Sequence, residues 1–250
     1  MSKMFFALYR KELGGARNIF LTILGLILGL GVFLLTRIST WGYWQAFGFT
    51  FLPLAFLVFW GMFRAFAIVR EEWKEGTAPF LRSLPVSGWS IIGTKLLAVF
   101  TEWVVLVLAT LTISALFYAA APLWGAEWVK LAELPNLVER IKFVAVFGAS
   151  IALGVLLGSI IFQLAYLLGR TVNRFSGLVS IAATIGLIYL TAKSSEILVR
   201  WLSFAPSINF INLESVDIFS FTTATFLVML IEFALLFLVT GWVMEKRVES

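Results

Sequence analysis

Three ionisable side chains, Arg64, Glu102 and Glu232, interrupt otherwise apolar stretches of this 250-residue chain. A charge near the centre of a bilayer costs at least about 2.5–3.5 kcal/mol on insertion scales, so each of them needs a reason to be there. Two chemistries suit them. In one, Arg64 pairs with Glu102 or with Glu232 and locks neighbouring helices together. In the other, Arg64 snorkels to a nearby boundary while the glutamates face a polar route and carry protons. Other chemistry is scarce. Without cysteine or histidine the chain cannot build disulfide frameworks, thiol nucleophiles, the usual zinc sites or a His-based triad. It has no G-x-x-x-x-G-K-[ST] phosphate loop, Gly93-Thr94-Lys95 being the nearest fragment, and no G-x-S-x-G elbow. No enzyme motif is present, and neither a catalytic residue, a metal site nor a cofactor is expected on this chain.

The elements that position these charges follow from composition. The chain is 61% hydrophobic and only 13% charged, against about 25% charged in soluble domains. That much apolar surface has to face lipid. Runs of about 20 apolar residues span a bilayer as helices, and six are expected, at about 18–36, 43–69, 91–120, 141–168, 174–192 and 218–243. The expected fold is therefore an all-α polytopic membrane protein forming one domain over 1–250. The third and fourth runs exceed the length a bilayer needs, so those helices tilt or project.

Lysine and arginine set the orientation, because they resist translocation. Twelve of them fall in the termini and loops of one side and six in those of the other, with Arg64 inside a span. Both termini are expected in the cytoplasm, and the pI near 9.6 then reflects topology rather than nucleic-acid binding. Trp41, Trp44, Trp124, Trp128 and Trp201 mark the outer boundary and Trp73, Trp89 and Trp242 the inner one, as aromatic belts do. Residues 1–17 carry Met4, Phe5, Leu8, Tyr9, Leu13 and Ala16 on one arc, which predicts an amphipathic helix lying in the interface. Residues 122–140 place Trp124, Trp128 and Leu131 on one face, an interfacial helix broken near Pro135. Residues 193–217 are too interrupted to span, and predict either an interfacial or re-entrant segment turning at Pro206 or an ordinary amphipathic surface helix. Gly25/Gly29 and Gly154/Gly158 are small-xxx-small pairs that permit close helix packing.

Between the second and third runs lies REEWKEGTAPFLRSLPVSGWSIIGTKLL, Arg70 to Leu97. Glu71, Glu72 and Glu75 are expected in the first turns of a short helix, where the dipole favours negative charge. Gly76 ends it, Leu81 and Leu84 form an apolar bump, Pro85 breaks the chain, and Ser87 caps the next span. This patterned unit, 70–90, is expected to be a compact helix–turn unit too rigid for a linker, the alternative being an interfacial turn that merely connects two spans.

The segment resembles the signature of permease subunits of type 2 ABC exporters, E-x-x-x-G-T-x-x-x-L-x-S-L-P-x-S followed by G-x-K-L. Glu72, Gly76, Thr77, Leu81, Ser83, Leu84, Pro85, Ser87, Gly93, Lys95 and Leu96 match it in order. The N-terminal RKEL (Arg10 to Leu13), the six-span plan and the charged tail EKRVES extend the resemblance over essentially the whole chain. The resemblance implies a permease in the cytoplasmic or inner membrane with both termini cytoplasmic, and no motor of its own. ATP and Mg would sit on a separate ABC ATPase, present in two copies beside a second permease copy or a paralogue. The 70–90 segment would be the coupling helix that docks on the ATPase, 1–17 would brace it, and 193–217 would form short re-entrant helices at the outer mouth. The cargo implied is a drug, antimicrobial peptide, lipid or envelope glycan, and no residue selects among these. The competing expectations are a proton-coupled secondary carrier using Glu102 and Glu232, and a non-transporting membrane scaffold or immunity protein.

Overall fold

The computed structural model describes residues 2–77, 85–127, 137–172, 175–209 and 220–246. Among the described residues seven α-helices carry the fold: α1 (Ser2–Trp41), α2 (Tyr43–Phe49), α3 (Leu52–Lys74), α4 (Gly88–Ala119), α5 (Leu137–Arg170), α6 (Ser176–Trp201) and α7 (Thr223–Lys246). A single 3-10 turn, Ala121–Trp124, follows α4. Two three-residue strands, β1 (Ser207–Asn209) and β2 (Ser220–Thr222), pair antiparallel with Ile208 opposite Phe221. Six helical segments are long and apolar enough to cross a bilayer, α2 and α3 together making one of them. The protein is an all-α polytopic membrane protein.

The chain reverses between α1 and α2 at Gly42, whose φ of 85° is a conformation that glycine adopts without a Cβ penalty. The expected second span breaks at Thr50–Phe51, just ahead of Pro53 in the first turn of α3, where a missing N–H costs nothing. Thr50 Oγ1 reaches Ser114 Oγ on α4 at 2.8 Å and so ties the break to the bundle. Helix α3 packs on α4 and α5, α4 and α5 both pack on α7, α1 lies along α4, and α6 rests on α5 and α7. Ile68, Val69, Ile92, Val99, Ile160, Leu164 and Leu167 form the main core, sealed by Val243 and Met244 of α7.

The outside is apolar. Leu26 and Val32 of α1, Val144 of α5, and Leu178, Ile181 and Ile185 of α6 are all exposed, as side chains solvated by acyl chains should be. Helix α6 buries no residue. Of the two glycine pairs, Gly154/Gly158 lies inside. A Cβ on Gly158 would come 2.7 Å from Met62 Cε, and one on Gly154 3.7 Å from Met229 Cε. Gly25 and Gly29 face open space.

Several expectations need correction. The N-terminal 17 residues are not a separate interfacial helix, because α1 runs unbroken for 40 residues. At about 1.5 Å per residue it is roughly 60 Å long, about twice the hydrocarbon thickness, so one end projects from the bilayer. The apolar arc is real but turns to protein: Leu8 and Ala16 are buried, Tyr9 and Leu13 pack on the core, and Tyr9 Oη lies 2.9 Å from Thr101 Oγ1. The second correction is at 193–201, which continues α6 as regular helix. Its polar run sustains a helix through Glu196, which accepts from Lys193 at 3.1 Å and from Arg200 at 2.6 Å. Beyond Pro206 the chain enters the β-ribbon, and 210–219 lie outside the described residues. The expected interfacial helix at 122–140 begins instead with the 3-10 turn and ends with the start of α5. Its middle, 128–136, also lies outside them. The third correction concerns the acidic residues of the 70–90 segment.

Candidate functional site

Glu71 and Glu72 do not open a short helix. They sit in the final turn of α3, at the negative end of its dipole, where carboxylates are disfavoured. Cations from three helices reverse that penalty. Lys95 of α4 is 1% exposed and donates to Glu72 Oε1 at 2.9 Å and to Glu12 Oε1 of α1 at 2.8 Å. Lys11 adds a second contact to Glu72 Oε1, also at 2.9 Å. Lys95 Nζ further approaches the carbonyl of Ile68 at 3.4 Å, so the ammonium is surrounded by acceptors. One cluster thus joins the first, second and third spans at the basal end of the bundle.

The end of α3 is fixed with the same economy. Glu75 is the exposed C-cap, and Gly76 follows with φ 70°. The Thr77 N–H donates to the carbonyl of Glu72 at 3.0 Å and the Gly76 N–H to that of Trp73 at 3.4 Å, which is the Schellman pattern. The Thr77 hydroxyl also donates to the Glu72 carboxylate. Glu72 therefore serves as helix end, ion-pair partner and acceptor for the departing chain. Leu81 and Leu84 lie outside the described residues. Pro85 is exposed, and the chain returns as Ser87 Oγ accepts from the Ser90 N–H at 3.3 Å, capping α4.

The returning end is clamped to the C-terminal helix. The Gly88 N–H donates to Glu245 Oε1 at 2.9 Å, and Trp89 Nε1 donates to the carbonyl of Leu238 at 3.1 Å. A Cβ on Gly88 would come 2.7 Å from the carbonyl oxygen of Gly241. Both ends of the segment between α3 and α4 are thus anchored, one by charge and one by backbone contact. The N-terminal part of α1 and the end of α7 lie at this same end of the bundle.

Deeper lies a second polar layer. Arg64 is 2% exposed and reaches down its own helix to Glu71 Oε1 at 2.9 Å. Its Nε faces Glu102 Oε2 of α4 at 3.5 Å, an ion-pair distance without hydrogen-bond alignment. Both carboxylate oxygens of Glu102 have no hydrogen-bond partner among the described residues, nor does either amide atom of the fully buried Gln163. Packing of Phe63 on Phe162 and of Phe66 on Tyr166 puts Gln163 level with Arg64. Buried polar atoms left this way hold water or another ligand in most proteins.

Glu232 belongs to neither layer. Its carboxylate accepts from Ser194 Oγ at 2.6 Å and from Ser195 Oγ at 2.8 and 2.9 Å, joining α7 to α6 through neutral donors. Of the two pairings open to Arg64, the structure forms the one with Glu102. The carboxylate of Glu232 is bonded instead on the far side of the bundle core.

Sequence reasoning on spacing missed Glu12 and Lys95. A signal was available for Glu12, which sits four residues from both Leu8 and Ala16 in the middle of the apolar arc. A charge in the centre of an apolar stripe calls for an internal partner. Lys95 in an apolar run carries the same message. Among the described residues no group of three metal-ligating side chains assembles. Compared with family models, curated proteins and solved structures, the chain finds no match.

Proposed function

We propose that this chain is the membrane-spanning permease subunit of an ATP-driven ABC exporter, working with a separate ATPase. The observation that carries the reading is the Lys95 ammonium bridging Glu12 and Glu72. Three separate pieces of the resemblance, the N-terminal RKEL, the E-x-x-x-G-T of the α3 end and the G-x-K-L of α4, meet at that one point. A coupling segment has to deliver force from a partner into the spans without absorbing it. A loop anchored by the buried ion cluster on one side and by the Gly88–Glu245 contact on the other does this, because any push on it moves α1, α3, α4 and α7 together. ATP and Mg belong to the ATPase, present in two copies. A second permease copy or a paralogue completes the complex, and the basal end faces the cytoplasm of a cell membrane. The cargo is a drug, antimicrobial peptide, lipid or envelope glycan.

Detergent extraction of the tagged chain from its native membranes tests this. An ATPase should co-purify with wild type and be lost with both Glu72→Arg and Leu84→Asp. Retention of the ATPase by both variants, or its absence from the wild-type complex, overturns the reading. The unsatisfied carboxylate of Glu102 favours one alternative, a proton-coupled carrier. Transport that follows a proton gradient without ATP and stops on Glu102→Gln would establish it.

A further inference from the structure

Beside the coupling region, α3, α5 and α6 leave an open cleft of about 500 Å³ that the exporter reading does not use. Phe63, Phe66, Phe162 and Tyr166 line its walls, and Arg70 and Arg170 line its basal end. These two arginines differ from the cations of the buried ion cluster and the polar layer above it. Lys11, Arg64 and Lys95 each hold a carboxylate, whereas Arg70 and Arg170 are exposed and hold none among the described residues. Arg170 is nonetheless oriented: its Nε donates to Tyr166 Oη at 2.9 Å, and its guanidinium lies 5.3 Å from the centre of that ring. Tyr166 is itself 6% exposed and fixed against Phe66 and Trp73. Among the described residues the terminal nitrogens of Arg170 meet no acceptor, which leaves them to bind something else.

We propose that this cleft is the resident site of one acidic phospholipid, its phosphate met by Arg70 and Arg170 and an acyl chain lying on Phe63 and Phe162. Charge and shape both point to that occupant. Two arginines with free donors fit a phosphate diester, and basic pockets between membrane helices at the interface recognise acidic headgroups. The cleft opens sideways, with Phe63 57% and Ile181 60% exposed, so its occupant enters from the bilayer. A zwitterionic lipid would bring an ammonium towards two guanidinium groups. A soluble anion would leave the aromatic wall uncovered. The inference stands apart from the exporter reading, since it concerns a fixed lipid and needs no ATPase.

Native mass spectrometry of the delipidated full chain in detergent tests it, with phosphatidylglycerol and phosphatidylcholine of matched chains as probes. Wild type should retain one phosphatidylglycerol at concentrations where phosphatidylcholine is lost. Arg70→Gln/Arg170→Gln should weaken phosphatidylglycerol by roughly thirtyfold, given about 1 kcal/mol for each of the two basic side chains near an acidic headgroup, and leave phosphatidylcholine unchanged. Arg200→Gln, at the far end of α6 and paired with Glu196, should change nothing. If the double variant does not fold, the single Arg70→Gln carries the comparison with a smaller loss. Equal retention of the two lipids by wild type, or undiminished phosphatidylglycerol binding by the folded variant, overturns the proposal. So does displacement of the lipid by millimolar sn-glycerol 3-phosphate, which would assign the site to a soluble anion.

Discussion

Lys95 Nζ lies 2.9 Å from Glu72 Oε1 with both side chains almost wholly buried, joining the start of α4 to the end of α3. Neither charge is stable there alone. Desolvation of an isolated buried ion costs several kcal/mol, and their mutual attraction repays it only where the remaining valences are filled. Glu12, Lys11, Thr77 and the Ile68 carbonyl fill them.

Removing the central cation should therefore be costly. Lys95→Met leaves Glu12 and Glu72 facing each other without their shared partner, and a loss of about 3–5 kcal/mol is expected. Thermal unfolding in detergent should show a large fall in midpoint. Adding Glu72→Gln should recover part of it, because the second uncompensated charge disappears. A double variant as unstable as the sum of the two singles would show that the residues act independently.

The glycines divide by what surrounds them. Gly88→Ala should lower stability and yield, because its Cβ meets the backbone carbonyl of Gly241, which cannot swing aside. Overpacking of this kind costs about 1–3 kcal/mol. Gly29→Ala meets nothing within 4 Å and should be neutral or slightly stabilising, since alanine is the better helix former. Parallel melting curves of the two variants check this, and equal effects would refute the assigned packing.

Glu232 separates structure from transport. Glu232→Gln keeps an amide oxygen able to accept from one of the serines, so the melting midpoint should stay near wild type. Glu232→Leu leaves Ser194 and Ser195 without that acceptor and should cost about 1–3 kcal/mol. Ser194 keeps its bond to the Thr191 carbonyl, which places the loss towards the lower end. Transport assays on the glutamine variant then read function alone. Under the exporter reading activity persists, and loss of activity at unchanged stability would make the carboxylate a proton site.

Much of this protein was legible as a line of residues. The six crossing segments, the helix-ending glycine at position 76 and the Ser87 cap follow from local rules: apolar length, left-handed preference and capping chemistry. Each depends on a residue's own neighbourhood. The cost of a charge in lipid asked only that Arg64 pair or snorkel, and the structure chose Glu102 over Glu232. Tertiary structure decided which surface each amphipathic face meets. The arc of residues 4–16 satisfies lipid or protein equally well by periodicity, and only the approach of α4 turns it inward. Glu71 and Glu72 suit a helix start by the dipole argument, yet they end a helix because Arg64, Lys11 and Lys95 supply a field stronger than the dipole. Helix α6 differs: it runs on through charged residues whose pairs, Lys193–Glu196 and Glu196–Arg200, are local contacts one turn apart. Local propensities are worth tenths of a kcal/mol per residue, whereas a buried ion pair with one partner removed costs several. Where the two disagreed, the distant contact won.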